Sequence, residues 1–148
     1  MTYSSVYKNI KGEVVQATKE LVKAGYMKKD NPIEVRLAVA EVWLMKVSQA
    51  YGIQSIPTLT FDESEALYHE TGGGVYRRNS HQITMYFKLS LVTLLHEFRH
   101  HMQNTNSDLH LYRGNIEEDA RAWSVSLFKL ATPKMFANAV ENGLLHFD

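Results

Sequence analysis

Three side chains in the stretch LLHEFRHHMQ, residues 94–103, can do chemistry together: His96, Glu97 and His100. Imidazole nitrogens are good ligands for divalent transition metals. Residues four apart on a helix stand one above the other on one face, so His96 and His100 can offer two nitrogens to one ion. Glu97 is turned about 100° from His96, so it flanks the ion without binding it. A carboxylate there can take a proton from a water that the metal has made acidic, which is what metal-assisted hydrolysis requires.

A helix must hold these groups, and its other residues say how. With Leu91 at 0°, Leu95, Phe98 and Met102 fall within about 40° of it, while His96 and His100 lie at about 140° and 180°. One face packs inward and the other looks into a cleft. Ser90 is the expected N-cap. The motif is short: a shuffled chain of this composition carries H-E-x-x-H in roughly 2% of cases. A third ligand therefore has to support it, because catalytic zinc keeps three protein ligands and one open position.

Six residues after His100 stands Asn106, not a histidine, and His110 lies in a loop. The stretch IEEDARAWSVSLF offers a carboxylate instead. On a second helix starting at Ile116, the residues Ile116, Ala120, Trp123, Leu127 and Leu130 form an inward stripe. Glu117 falls at about 100° from its centre, on the border of the buried face. Glu118 is expected in solvent, and Asp119 on the opposite border with a shorter reach. Glu117 is the expected third ligand, and Ala120, small and one turn on, lets the two helices approach. All three acids also suit the positive end of a helix dipole.

Elsewhere the period alternates between helix and strand. Val6, Ile10, Val14, Ala17 and Leu21 predict a first helix, stopped by Gly25. Asn31 and Pro32 predict the start of a second, with Val35, Val39, Val42 and Leu44 to Val47 as its apolar face and Gly52 as its end. IPTLTF reads as a strand. HQITMYF alternates, with Ile83, Met85 and Phe87 on one side and Gln82, Thr84 and Tyr86 on the other. TGGGVY reads as a turn or bulge, since no Lys-Ser or Lys-Thr follows to make a phosphate loop. Pro133 opens a last short helix stopped by Gly143. Trp43 and Trp123 are core residues. His101 is expected at the surface or supporting its neighbours, Arg77 and Arg78 in a solvated turn, and His69, His81 and His146 lack ligand spacing. The fold class is α+β, helices packed on a small, mostly antiparallel sheet.

Length and composition bound the rest. A chain of 148 residues predicts a single domain, residues 1–148, and 45% apolar residues suffice for one core. A formal net charge of zero gives no field to draw nucleic acid or an anionic membrane. Without cysteine there is neither a disulfide nor a thiolate ligand. The first residues lack a signal-peptide core, and LAVAEVWLM is too short to span a bilayer. A soluble cytoplasmic protein is the expectation.

His96, Glu97 and His100, followed by Glu117 in an E-x-x-A arrangement, resemble the gluzincin branch of the zincin metallopeptidases. The closest likeness is to small zincin-like proteins of phages and prophages, with ImmA/IrrE-type peptidases as a broader relative. The resemblance covers residues 83–128. It implies a minimal zincin fold with HQITMYF as the edge strand beside the cleft. It implies that His96, His100 and Glu117 bind Zn2+, that Glu97 is the general base, and that a protein or peptide substrate binds as an added strand. A zinc-stabilised binding or regulatory module with weak or absent catalysis is the alternative. Many gluzincins carry an acidic residue four positions after the ligand glutamate to orient the first histidine. Here that position is Arg121, leaving Asp119 or Asp108 for the task. His110, Tyr112 and Arg113 are the candidates for steadying an oxyanion.

Overall fold

The computed structural model describes residues 2–145, and His146 lies outside them. The described residues form an α+β fold of six α-helices on a three-stranded mixed sheet. The helices are α1 (Gly12–Lys23), α2 (Ile33–Ala50), α3 (Glu65–Thr71), α4 (Leu91–Thr105), α5 (Ile116–Ala131) and α6 (Pro133–Glu141). The strands are β1 (Thr58–Asp62), β2 (Gly74–Arg77) and β3 (Gln82–Tyr86). No helix among these residues is long and apolar enough to cross a membrane.

The core forms where the large apolar side chains of four helices meet the sheet. Trp43 of α2 meets Phe98 of α4 edge-to-face at 5.1 Å, and Phe98 lies 6.3 Å from Trp123 of α5. Both tryptophans are buried, as expected. The indole N–H of Trp43 finds Thr18 Oγ1 of α1 at 2.9 Å, so its burial strands no donor. Burying Trp43 also sets the rotation of α2. Arg36, Ala40, Trp43, Leu44 and Val47 turn inward, whereas Val35, Val42 and Met45, read as part of the apolar face, are exposed. That helix is apolar on more than one side, and its largest side chain decides which side wins.

Two expectations about the sheet are corrected. The strand order is β1-β3-β2, with β1 parallel to β3 (Thr58 opposite Gln82) and β2 antiparallel to β3 (Gly74 opposite Met85). The sheet is therefore evenly mixed rather than mostly antiparallel, and β3 is central rather than an edge. A parallel pair needs a crossover between its strands. Residues 63–81 supply it, carrying α3 and β2. The alternation in HQITMYF suggested one solvated face, yet Ile83, Thr84, Met85 and Tyr86 are all buried. Thr84 tolerates this because its hydroxyl pairs with Thr60 Oγ1 and accepts from Arg77 Nη1 at 2.7 Å. Arg77 is thus the exposed last residue of a strand and not a turn residue.

The N-terminal segment is the third departure. The first helix begins at Gly12, not near Val6, and Tyr3–Ser5 form a single 3-10 turn. The segment is tied to α5 instead: the Tyr7 amide donates to Ser126 Oγ at 3.1 Å, and that hydroxyl donates to the Tyr3 carbonyl at 2.9 Å. A buried serine on α5 competes successfully with helical hydrogen bonds for this stretch.

Candidate metal centre

Both helices that carry the site start at well-defined caps. Ser90 accepts from the Thr93 amide ahead of α4, as expected. Asn115 accepts from the amides of both Glu117 and Glu118 at 3.0 Å, which fixes α5 to begin at Ile116 and places Glu117 in its first turn. Leu91, Leu94, Leu95, Phe98 and Met102 are all buried, so α4 is oriented as its stripe predicts, with His96 and His100 turned away from the core. Ala120 is fully buried beneath the α4–α5 crossing.

Glu117 joins the two imidazoles. Its Oε2 lies 3.2 Å from His96 Nε2 and its Oε1 lies 3.0 Å from His100 Nε2. One ligand atom from each of the three residues fits within 4.8 Å of the others. For comparison, tetrahedral zinc with bonds of about 2.0–2.1 Å separates its ligand atoms by roughly 3.3 Å. The two short contacts use different oxygens of the Glu117 carboxylate, Oε2 toward His96 and Oε1 toward His100.

The charge state of the cluster points the same way. His100 Nδ1 is 2.8 Å from Gln103 Oε1, an amide oxygen that can only accept. Nδ1 therefore carries hydrogen, and in neutral His100 the Nε2 lone pair faces a carboxylate oxygen. Two acceptors at 3.0 Å need a cation, either a proton or a metal ion. The hydrogen bond to His96 holds the Glu117 carboxyl down at about 2, helped by the charges of His100, His96 and Arg121 against the opposing effect of burial. The donor set of two imidazoles and one ionised carboxylate fits a zinc ion.

Glu97 sits beside this group, buried except for 8% of its surface. Burial pushes its carboxyl up, against the lowering influence of His96, His100 and a hydrogen bond from the Tyr76 backbone. Tyr76 belongs to β2, so the strand nearest the cleft is β2. Its approach is tight: a Cβ on Gly74 would stand 2.9 Å from Thr93 Cγ2 and 3.4 Å from Glu97 Cγ. Only glycine lets the strand lie so close to α4. The TGGGVY stretch thus ends α3 at Gly72 in the left-handed region and opens β2 at Gly74. A cavity of about 250 Å³ opens beside Thr71, Thr93, His96, Glu97 and Arg121, and another of about 220 Å³ beside Tyr76, Arg78, His100, Gln103 and Ile116. Glu117 lines both.

His96, Glu97, His100 and Glu117 are therefore brought together, but the burial order in the acidic turn differs from the sequence reading. Glu117 is half exposed, Glu118 is more covered and pairs with Arg113 at 3.2 Å, and Asp119 is completely buried. Asp119 sinks because Arg99 of α4 meets it at 2.8 Å inside the fold. It reaches His100 only through Gln103. His101 is no surface residue: fully buried, it sits between the Tyr76 hydroxyl at 2.7 Å and the Ser55 carbonyl at 2.6 Å. Burial pushes its pKa down, so it stays a neutral bridge between helix and sheet. His110 does not join the cluster. The Tyr112 ring stands edge-on to Tyr3, and Arg113 lies over that ring and pairs with Glu118. Gln103 was not singled out from sequence. Its position three residues after His100, on the same helical face, was the available signal.

Compared with protein-family models, curated proteins and solved structures, the chain matches none, so its chemistry rests on its own geometry.

Proposed function

We propose that this chain is a zinc-dependent metallopeptidase of gluzincin type with a minimal zincin fold. The observation that carries the reading is the convergence of His96 Nε2, His100 Nε2 and the Glu117 carboxylate next to a buried Glu97 at the wall of an open cleft. Two histidines and one glutamate make a catalytic zinc set that leaves a fourth position open. Zinc bound there would supply an acidified water, with a pKa near about 7, and polarise a peptide carbonyl.

The chain's own residues do the remainder. Glu97 takes a proton from the attacking water and delivers it to the leaving amine. The Tyr76 amide holds the Glu97 carboxylate against the cleft wall. The pairing of Tyr86 N–H with the Gly73 carbonyl at 2.9 Å sets the ladder, so the Gly74 amide and carbonyl and the Tyr76 carbonyl turn to the side of β2 away from β3. An extended peptide adds to that edge. The binding edge is thus β2 and not the central β3.

One observation favours the alternative, a zinc-bearing binding module with little or no turnover: Arg113, a candidate oxyanion donor, is paired with Glu118. A Glu97→Gln variant separates the readings. The expected result is about one zinc per chain in both proteins, with peptide hydrolysis reduced roughly 10²- to 10⁴-fold in the variant. Zinc binding without Glu97-dependent cleavage of any peptide in a broad library favours the module. Absence of zinc from both proteins rejects both readings.

A further inference from the structure

The groups around Gln103 leave its amide a single orientation. Nε2 stands 3.0 Å from the Ile116 carbonyl and 2.8 Å from Asp119 Oδ2. A carbonyl and a carboxylate only accept, so both must face the NH2 end, and Oε1 must face His100 Nδ1. Turned over, the amide would set its oxygen against both acceptors. His100 is then held with hydrogen on Nδ1 and its lone pair on Nε2, pointing into the cluster with Glu117.

What keeps Gln103 in place lies deeper. Asp119 accepts from Arg99 Nε at 2.8 Å, Arg99 Nη2 at 3.3 Å, the Tyr112 amide at 2.9 Å and the hydroxyl of Tyr7. Arg99, itself buried, closes an ion pair with this carboxylate inside the fold. Asp119 therefore meets Gln103 as an ionised acceptor. Burial, with the bond to Asp119, pushes Tyr7 up to about 12, so its hydroxyl remains a donor. Arg99 Nη2 also donates to the Tyr7 oxygen at 3.2 Å, and the guanidinium lies over the Tyr7 ring at 5.1 Å. An unbroken hydrogen-bonded chain runs from Tyr7 through Asp119 and Gln103 to His100.

We infer that Gln103 and Tyr7 are positioning residues: Gln103 locks His100 in its Nδ1–H tautomer, and Tyr7, from the N-terminal segment, steadies that lock through the buried Asp119 carboxylate. The purpose of the lock rests on the metal-centre reading, but the contact between His100 Nδ1 and Gln103 Oε1 is present in the metal-free chain. This is the kind of outer partner that orients a metal-binding histidine, here an amide in place of the usual acid.

Long-range proton–nitrogen NMR correlation on the zinc-free full chain, above the imidazole titration range, reads the tautomer directly. The wild type is expected to show His100 with hydrogen on Nδ1. Gln103→Leu should give a mixture of tautomers, and chelator competition should show zinc affinity lowered 10- to 100-fold. Tyr7→Phe keeps the ring and should lower zinc affinity by about threefold, below the loss from a direct partner. Glu118→Gln, on the same turn as Asp119, should change neither readout. Circular dichroism melts establish that each variant is folded. Hydrogen on Nε2 of wild-type His100, or a folded Gln103→Leu protein with unaltered tautomer and zinc affinity, overturns the lock. A folded Tyr7→Phe protein with wild-type affinity removes Tyr7 from it. A wild type with the stated tautomer but no affinity for zinc rejects the metal centre and leaves the lock standing.

Discussion

Two polar clusters bridge α4 and α5 side by side, and they are built on opposite principles. The inner one joins Arg99 to Asp119, both buried, and closes with Tyr7, Tyr112 and Gln103. The outer one joins His96 and His100 to a half-exposed Glu117. The inner cluster carries its own cation, and each carboxylate oxygen meets donors. The outer cluster has no arginine or lysine among its three members, only the nearby charge of Arg121, and it opens on two cavities. The same pair of helices thus holds a buried ion pair and a half-exposed cluster with no arginine or lysine among its members. The difference teaches how to separate architecture from function in a cluster of charged residues: ask whether the chain supplies every counter-charge.

The largest expected effect breaks the inner cluster. Arg99→Met leaves Asp119 buried without its cation and should cost about 3–5 kcal/mol of stability, read from urea unfolding. The paired change Arg99→Met with Asp119→Leu should recover much of that, because an ion pair replaced by apolar packing is often close to neutral. If the single variant is as stable as the wild type, the inner cluster is not structural. The next effect belongs to the outer cluster. Zinc at one hundred times its dissociation constant should stabilise the fold by about 2.7 kcal/mol, and a chelator should remove the gain. Equal melting with and without zinc would show that the outer cluster needs no outside cation.

How far these clusters can be read from sequence differs in the same way. The outer one depends on residues four apart and on an apolar stripe, and both are local. Leu91, Leu95, Phe98 and Met102 placed His96 and His100 correctly, and the helix over 116–131 has the bounds its pattern predicts. The inner one depends on partners far apart in the chain. Nothing beside Arg99 in the sequence accounts for its burial until Asp119 is known to lie opposite, and Tyr7 reads as the start of a helix until Ser126 is known to hold its amide. The sheet shows the same limit. The strand HQITMYF is evident from its alternation, but its central place follows from the return of the chain after α3, which periodicity does not record. His101 completes the point. It neighbours His100, yet its role is set by Ser55 and Tyr76, one on the loop before β1 and one on β2.

The smallest effect tests the contrast most sharply. Glu117→Gln keeps the size of the side chain and removes its charge. Glu117 is half exposed, and exposed ion pairs contribute only about 0–1 kcal/mol. In the zinc-free chain the substitution should therefore shift stability by no more than about 0.5 kcal/mol. It also replaces an acceptor facing two Nε2 atoms with a group that can donate. In the presence of zinc the same variant should lose the metal-dependent gain, with affinity reduced beyond the roughly 100-fold that an outer partner costs. The two readouts must separate. A zinc-free Glu117→Gln protein destabilised by several kcal/mol would make the outer cluster structural like the inner one, and the distinction drawn from their charge balance would fall.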